Sequence, residues 1–253
     1  MRFAYLGSGS GGNGFLVEQG NTCLLVDCGF SAKECERRLA VLGKSPDQLD
    51  GILVTHEHGD HINGVGRLAR KHNLHVWLSA GTHRAARTGE LPTFCLMSTH
   101  QPFSIGDLEI NPFPVPHDAH EPCQFTFSNG SEKLGLATDF GCETPHLIEQ
   151  LSGCHALVLE CNHDLDLLLN GSYPHNLKQR VSSDYGHLSN KQAANLLEKL
   201  DNSRLQHIVA AHLSEKHNRP QLAREALSAV LNCQPEWVSV AGQQQGLAWR
   251  DVA

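Results

Sequence analysis

Apolar residues along this chain gather into short runs closed by glycine, aspartate, asparagine or histidine, with amphipathic stretches between them. The runs FAYL (3–6), TCLLVD (22–27), ILVT (52–55), HVWL (75–78), LEINPFPV (108–115), CQFTF (123–127), KLGLATD (133–139), ALVLE (156–160), HIVAA (207–211) and WVSV (237–240) predict strands. Such β-branched and aromatic segments, bounded by turn formers, fit a pleated and buried surface. Helix starts are marked by capping chemistry. Ser31 with Glu34 and Ser189 with Gln192 have the S-x-x-E/Q spacing, and Thr144 with Pro145 supplies an N-cap and a first helical residue. Leu222, Ala226, Leu227, Val230 and Leu231 recur at helical spacing and predict a helix from about Pro220 to Leu231. Strands interleaved with helices make this an α/β chain. With no linker or low-complexity stretch, one domain over residues 1–253 is expected.

Composition narrows the function classes. Hydrophobic residues make up 40% and charged residues 19%, an ordinary water-soluble balance. No apolar stretch approaches the roughly 20 residues of a membrane helix, and the start MRFAYLG lacks the features of a secretory signal. A cytoplasmic protein without a membrane partner is expected. The net charge of −7 excludes coating of long nucleic acid by charge alone, so any phosphate must be held locally. Nine cysteines, an odd number with no CxxC pair, suggest neither a disulfide framework nor a cysteine zinc site. Cys142, Cys154 and Cys161 fall near the clusters below without any sign of a nucleophile.

Seventeen histidines are many for this length, and they are unevenly placed. Residues 53–65, LVTHEHGDHINGV, bring His56, His58 and His61 together with Glu57 and Asp60 directly behind an apolar strand. A chance H-x-H-x-D-H is expected in only roughly a few chains per thousand of this composition, so ordinary packed or solvated histidines do not account for it. Further polar residues fall at other strand ends: Asp27, His117 with Asp118, Asp139, Glu160 and His212. Carboxyl ends of strands in α/β sheets converge on one rim, so one site can collect them all. In an extended loop His56 and His58 point the same way and can share an ion, while Asp60 and His61 can turn toward a second. Imidazole and carboxylate suit zinc, manganese or iron rather than calcium. Two ions roughly 3.5 to 4 Å apart share a water and lower its pKa toward about 7. His117, Asp139 and His212 are the candidates to complete the pair.

THEHGDH (55–61) resembles the signature of the metallo-β-lactamase fold superfamily, and Asp27, the H-x-H-x-D-H block, His117, Asp139 and His212 follow in its order. GSGSGGNG (7–14), PVPHDAHEP (114–122), ATDFG (137–141), LECNHD (159–164), YPHNLKQRV (173–181), GHLSN (186–190) and AHLSEKHN (211–218) narrow the match. Over nearly the whole chain they resemble the stand-alone bacterial YycJ/WalJ-type branch, regarded as 5′ to 3′ DNA exonucleases or related phosphodiesterases. The glycine loop departs from it, reading SGSGGNG where a serine-rich SGSSGN is expected. The resemblance implies a four-layer αββα sandwich with two divalent metal ions (zinc or manganese, iron also being compatible) between the sheet edges. It implies one ion on His56, His58 and His117, the other on Asp60, His61 and His212, with Asp139 bridging. Asp27 would accept a hydrogen bond from a ligand imidazole; the plainer alternative is a turn-forming aspartate before Gly29.

His187 sits two residues before the Ser189 cap, where an anion beside its ring would also lie near a helix N-terminus. In related phosphodiesterases such a histidine touches the phosphate and can protonate the leaving oxygen. Ser10 and Asn13 in the glycine loop, Asn162 and His163 in LECNHD, and Lys178 and Arg180 in LKQR, read as a loop, are candidate substrate contacts. Glu160 lines the mouth or accepts from a ligand, and His217 is expected at the surface. The expected activity is dinuclear metal-dependent hydrolysis of a phosphodiester by a bridging hydroxide, with Asp60 and His187 as catalytic residues. The substrate would be DNA ends or single strands, or a small phosphodiester. The interval between Asp139 and His187 is too short for the clamp domain of ribonuclease J-type relatives, which favours a small or end-bound substrate. Rivals are a thioesterase of the glyoxalase II type, a lactonase or a β-lactamase on the same fold, and a non-catalytic metal-bearing regulator.

Overall fold

The computed structural model describes residues 1–253. Fourteen strands form two mixed sheets. The first contains β1 (Arg2–Gly7), β2 (Gly14–Gln19), β3 (Thr22–Val26), β4 (Gly51–Leu53), β5 (His75–Leu78), β6 (Thr93–Leu96) and β14 (Leu247–Asp251), in the order β14-β1-β2-β3-β4-β5-β6. The second contains β7 (Phe103–Ile105), β8 (Leu108–Pro114), β9 (Cys123–Ser128), β10 (Lys133–Ala137), β11 (Ala156–Glu160), β12 (His207–Ala211) and β13 (Ser239–Val240), in the order β13-β12-β11-β10-β9-β8-β7. In each sheet antiparallel hairpins lead into three parallel pairings: β3 to β6 in the first, β10 to β13 in the second.

The side-chain period of two explains the layering. Phe3 and Tyr5 pack with Phe15, Phe125, Phe127 and Val158 between the sheets, while Ala4 and Leu6 face the other way with Leu39, Leu68 and Ala69 of the helices Ala32–Val41 and Val65–His72. On the far side, Leu157, Leu159 and Ile208 pack on Leu147, Leu196 and Leu227 of the helices Pro145–Leu151, Asn190–Lys199 and Pro220–Leu231. Strands covered on both faces read as continuous apolar runs, which is why ALVLE and HIVAA stood out. The result is the expected helix–sheet–sheet–helix sandwich.

Caps form largely as expected. Ser31 accepts from the Glu34 amide, Thr144 accepts from the Leu147 amide ahead of Pro145, and Ser189 with Gln192 closes a reciprocal capping box. Only half of the Ser31 box forms, because the Glu34 carboxylate is taken by Arg37 and Arg38. The predicted strand over 237–240 shrinks to Ser239–Val240, since Pro235 opens a 3-10 turn over Pro235–Trp237. Four strands, β2, β6, β7 and β14, form beyond those that the sequence pattern predicts.

Candidate metal centre and active-site cleft

The polar residues that follow the strands meet at one sheet edge. Asp27 follows β3, the block His56–His61 follows β4, His117 follows β8, Asp139 follows β10, Glu160 ends β11 and His212 follows β12. Asp27, Asp139 and His212 each turn out of their strand with left-handed backbone, φ 61, 58 and 55°. Such conformations cost on the order of 1–3 kcal/mol each and persist where the surrounding structure holds them. His58 stands at the N-terminal boundary of the short helix Gly59–Ile62, whose first turn carries Asp60 and His61. Gly29 is required there, because a Cβ on it would lie 1.7 Å from the Asp60 carbonyl oxygen.

Potential ligand atoms fall into overlapping groups, each within 4.8 Å: His56, His58 and His117; Asp60, His61 and His212; His56, His61 and Asp139; and Asp139, Glu160, His187 and His212. A hydrogen-bond relay sets the rings. Asp27 Oδ2 accepts from His61 Nδ1 at 2.8 Å and from the Thr55 hydroxyl at 2.8 Å, while that hydroxyl lies 2.9 Å from His56 Nδ1. One carboxylate and one hydroxyl thus fix two tautomers, leaving both Nε2 atoms to face the centre. Thr55 was not singled out from the sequence, although it stands directly before His56. Glu160 does the same on the other side: its Oε1 accepts from His187 Nδ1 at 2.8 Å and His212 Nδ1 at 3.0 Å, and its Oε2 from the amides of Leu188 and Phe140.

These residues fit divalent cations. His56 Nε2, Asp139 Oδ2 and His212 Nε2 are buried with no hydrogen-bond partner, an arrangement that is costly unless a ligand satisfies them. Electrostatics agree. Burial drives His56 and His117 toward the neutral form that metals require. Burial would do the same to His212, yet Asp139, Asp60 and Glu160 outweigh it and push its pKa up to about 10. For His61, burial is likewise overcome by Asp139, Asp60 and Asp27. The carboxylates therefore call for positive charge at the centre, as protons or as metal. Burial opposes ionisation of Glu160, but His187 and His212 hold it down to about 2.

The centre opens into a cleft of about 360 Å³ that includes Ser10, Asn162, His163, Arg180 and His187. Arg180 stands at the rim, paired with Asp118 at 2.6 Å. It belongs to the helix His175–Val181 rather than to a loop, as does Lys178. Two expected contacts are placed otherwise. Lys178 reaches back to the Leu169 carbonyl and does not line the cleft. Asn13 turns inward: its amide holds the Gly9 backbone and approaches Asp60 and His61, so it braces the ligand loop. His217, expected at the surface, is 2% exposed and lines the cleft, because it packs edge-on against Tyr173 and its carbonyl accepts from the Asp164 amide. Cys154 and Cys161 are buried with their thiol pKa values raised by burial, which suits packing rather than nucleophilic work.

A family model described as a beta-lactamase superfamily domain matches residues 22–208. The chain is 39% identical over 235 residues to exodeoxyribonuclease YycJ of Bacillus anthracis, covering 91% of this chain and 89% of that one. It is 36% identical to exodeoxyribonuclease WalJ of Streptococcus pneumoniae, covering 88% and 85%. In architecture it resembles the metallo-beta-lactamase fold protein YhfI of Bacillus subtilis, with a TM-score of 0.76, 17% identity and 99% of both chains covered. No helix is long and apolar enough to cross a membrane. Matched by the family model over most of its length and by relatives of nearly equal extent, the chain belongs to the beta-lactamase superfamily in its metallo-β-lactamase fold form.

Proposed function

We propose that this protein is a metal-dependent phosphodiesterase working as a DNA exonuclease from the 5′ end, with residues 1–253 acting as one domain. The observation that carries the reading is the position of the His187–Glu160 pair, hydrogen-bonded at 2.8 Å, beside two groups of metal-type ligands in one cleft. The named activity of the YycJ and WalJ relatives supports it. His56, His58 and His117 would hold one divalent ion and Asp60, His61 and His212 the other, with Asp139 between them. Bound there, zinc, manganese or iron would supply charge to offset a phosphate and water of lowered pKa.

The chain's own residues do the rest. Glu160 accepts from His187 Nδ1, so Nε2, when it carries a proton, is left to donate to a phosphate oxygen or to give that proton to the oxygen that departs. Arg180 at the rim can leave Asp118 for a backbone phosphate. Asp27 and Thr55 keep His61 and His56 in the tautomer that presents Nε2. All nine cysteines are free, in keeping with the reducing cytoplasm where we place the protein. The test is hydrolysis of end-labelled single- and double-stranded DNA and of RNA by protein loaded with zinc or manganese. Stepwise shortening of DNA is expected. Turnover of a thioester, lactone or β-lactam with no phosphodiester cleavage would overturn the assignment.

A further inference from the structure

Besides the ligand groups, the cleft has a wall that the hydrolytic chemistry does not use. Leu168, Tyr173 and Leu177, from the segment between β11 and His187, supply its apolar and aromatic surface, and His163, Ser214 and His217 supply its polar base. Tyr173 is half-buried, lines the cleft and has two neighbours at its ring. The His217 ring meets it edge-on at 4.1 Å, and Lys216 Nζ lies 5.6 Å from its ring centre. His163 is 1% exposed and His217 2%, yet His163 Nε2 and His217 Nδ1 have no hydrogen-bond partner. Two buried polar atoms without partners on one wall point to a ligand that satisfies them.

Their chemistry says which kind. His163 Nδ1 lies 3.3 Å from Asn162 Oδ1, an acceptor, so Nδ1 carries the hydrogen and Nε2 offers a lone pair. Burial lowers the ring's pKa to about 4, so it stays neutral near pH 7. The wall thus offers an aromatic face, aliphatic packing and an acceptor for an N–H, which together suit the face and edge of a nucleobase. At about 360 Å³ the cleft is near the small end of ligand cavities, roughly 300 to 1,000 Å³. That is room for one nucleotide rather than a run of chain.

We infer that Tyr173 and His163 form a base-binding subsite for the terminal nucleotide of the substrate strand, an inference that rests on the phosphodiesterase reading above. The test compares metal-loaded wild type, Tyr173→Ala and Tyr173→Leu on two oligonucleotides, one ending in deoxyadenosine and one in an abasic tetrahydrofuran residue. Calorimetric binding of dAMP to the same three proteins provides a readout free of turnover. Tyr173→Ala should raise KM for the deoxyadenosine end and weaken dAMP by roughly 5- to 150-fold, the range for loss of one base–aromatic stack. Tyr173→Leu, which keeps bulk without the ring, should lose nearly as much. Removing the terminal base should cost the wild type a similar factor, and the two losses should not add. Equal losses on both oligonucleotides, or none on either, would overturn the subsite. Should dAMP bind in a Tyr173-dependent way while no oligonucleotide is cleaved, the exonuclease reading falls and the subsite stands. Should cleavage proceed with no cost for a missing base, the reverse holds.

Discussion

Replacing Glu160 by glutamine tests the centre most directly, because one carboxylate there answers four donors. Its Oε1 accepts from His187 and His212 at 2.8 and 3.0 Å, and its Oε2 from the amides of Leu188 and Phe140 at 3.1 and 3.3 Å. Glutamine has the same shape but one acceptor oxygen. If that oxygen faces the imidazoles, the amide NH2 confronts two backbone N–H groups; if it faces the backbone, His187 and His212 lose their acceptor. Two hydrogen bonds to a charged group are lost either way, each worth about 1.5–3 kcal/mol. Loss of folding stability of about 3 kcal/mol or more should follow. The catalytic loss that runs through His187 is capped by what that residue supplies, roughly 10²- to 10⁴-fold for general acid work. The assay is kcat on a nucleotide diester for Glu160→Gln, His187→Ala and the double variant, at saturating metal with content checked by elemental analysis. Where metal content is normal, so that the His212 contact is not what fails, the double variant should be no slower than His187→Ala alone. Wild-type kcat in Glu160→Gln at normal metal content, or losses that multiply, would refute the reasoning.

Thr55→Val keeps shape but cuts the link between Asp27 and His56, so metal affinity should drop by about 10- to 100-fold with the fold retained, measured by titration against a chelator. Gly29→Ala would drive a Cβ into the Asp60 carbonyl, so it should lower the melting temperature and metal content together; unchanged values would mean the loop yields freely. His187→Ala should cost more on a nucleotide diester than on one with an activated nitrophenyl leaving group, which departs without a proton, and equal losses would favour plain phosphate binding. His163 sets a pH dependence of stability. Below its ordinary pKa of 6.5 the unfolded ring binds a proton while the buried ring stays neutral down to about 4, so the unfolded state holds more protons in that window. Stability from this residue is full above pH 6.5 and falls as pH drops toward 4, by about 3 kcal/mol in all. Denaturant unfolding at several pH values should show a shallower acid loss in His163→Gln.

Much of this centre is legible in sequence because its densest part is local. His56, His58, Asp60 and His61 lie within one turn of loop and helix, so their convergence needs only local backbone geometry. The strands that carry Asp139, Glu160 and His212 are apolar on both faces and declare themselves by composition. Three of the four strands absent from the sequence pattern fail that test; β2, buried on both faces from Gly14 to Val17, passes it and is hidden only by the shortness of its apolar run. All four residues of β6 are exposed, and β7 and β14 are sheet-edge strands, β7 without a buried residue and β14 with only Leu247 buried.

Direction, by contrast, belongs to the tertiary structure. From the chain alone Asn13 and Lys178 are polar residues in a promising neighbourhood. Packing turns Asn13 onto Asp60, and the helical turn of His175–Val181 aims Lys178 at the Leu169 carbonyl. His217 reads as a surface histidine until Tyr173, distant in sequence, closes over it. The sharing of Asp27 between His61 and Thr55, and of Glu160 between His187 and His212, joins residues from separate strands. Residue type and spacing determine which side chains can bind a metal or move a proton. Which hydrogen bond fixes each tautomer depends on distances between strand ends, and only the packing of the two sheets sets those.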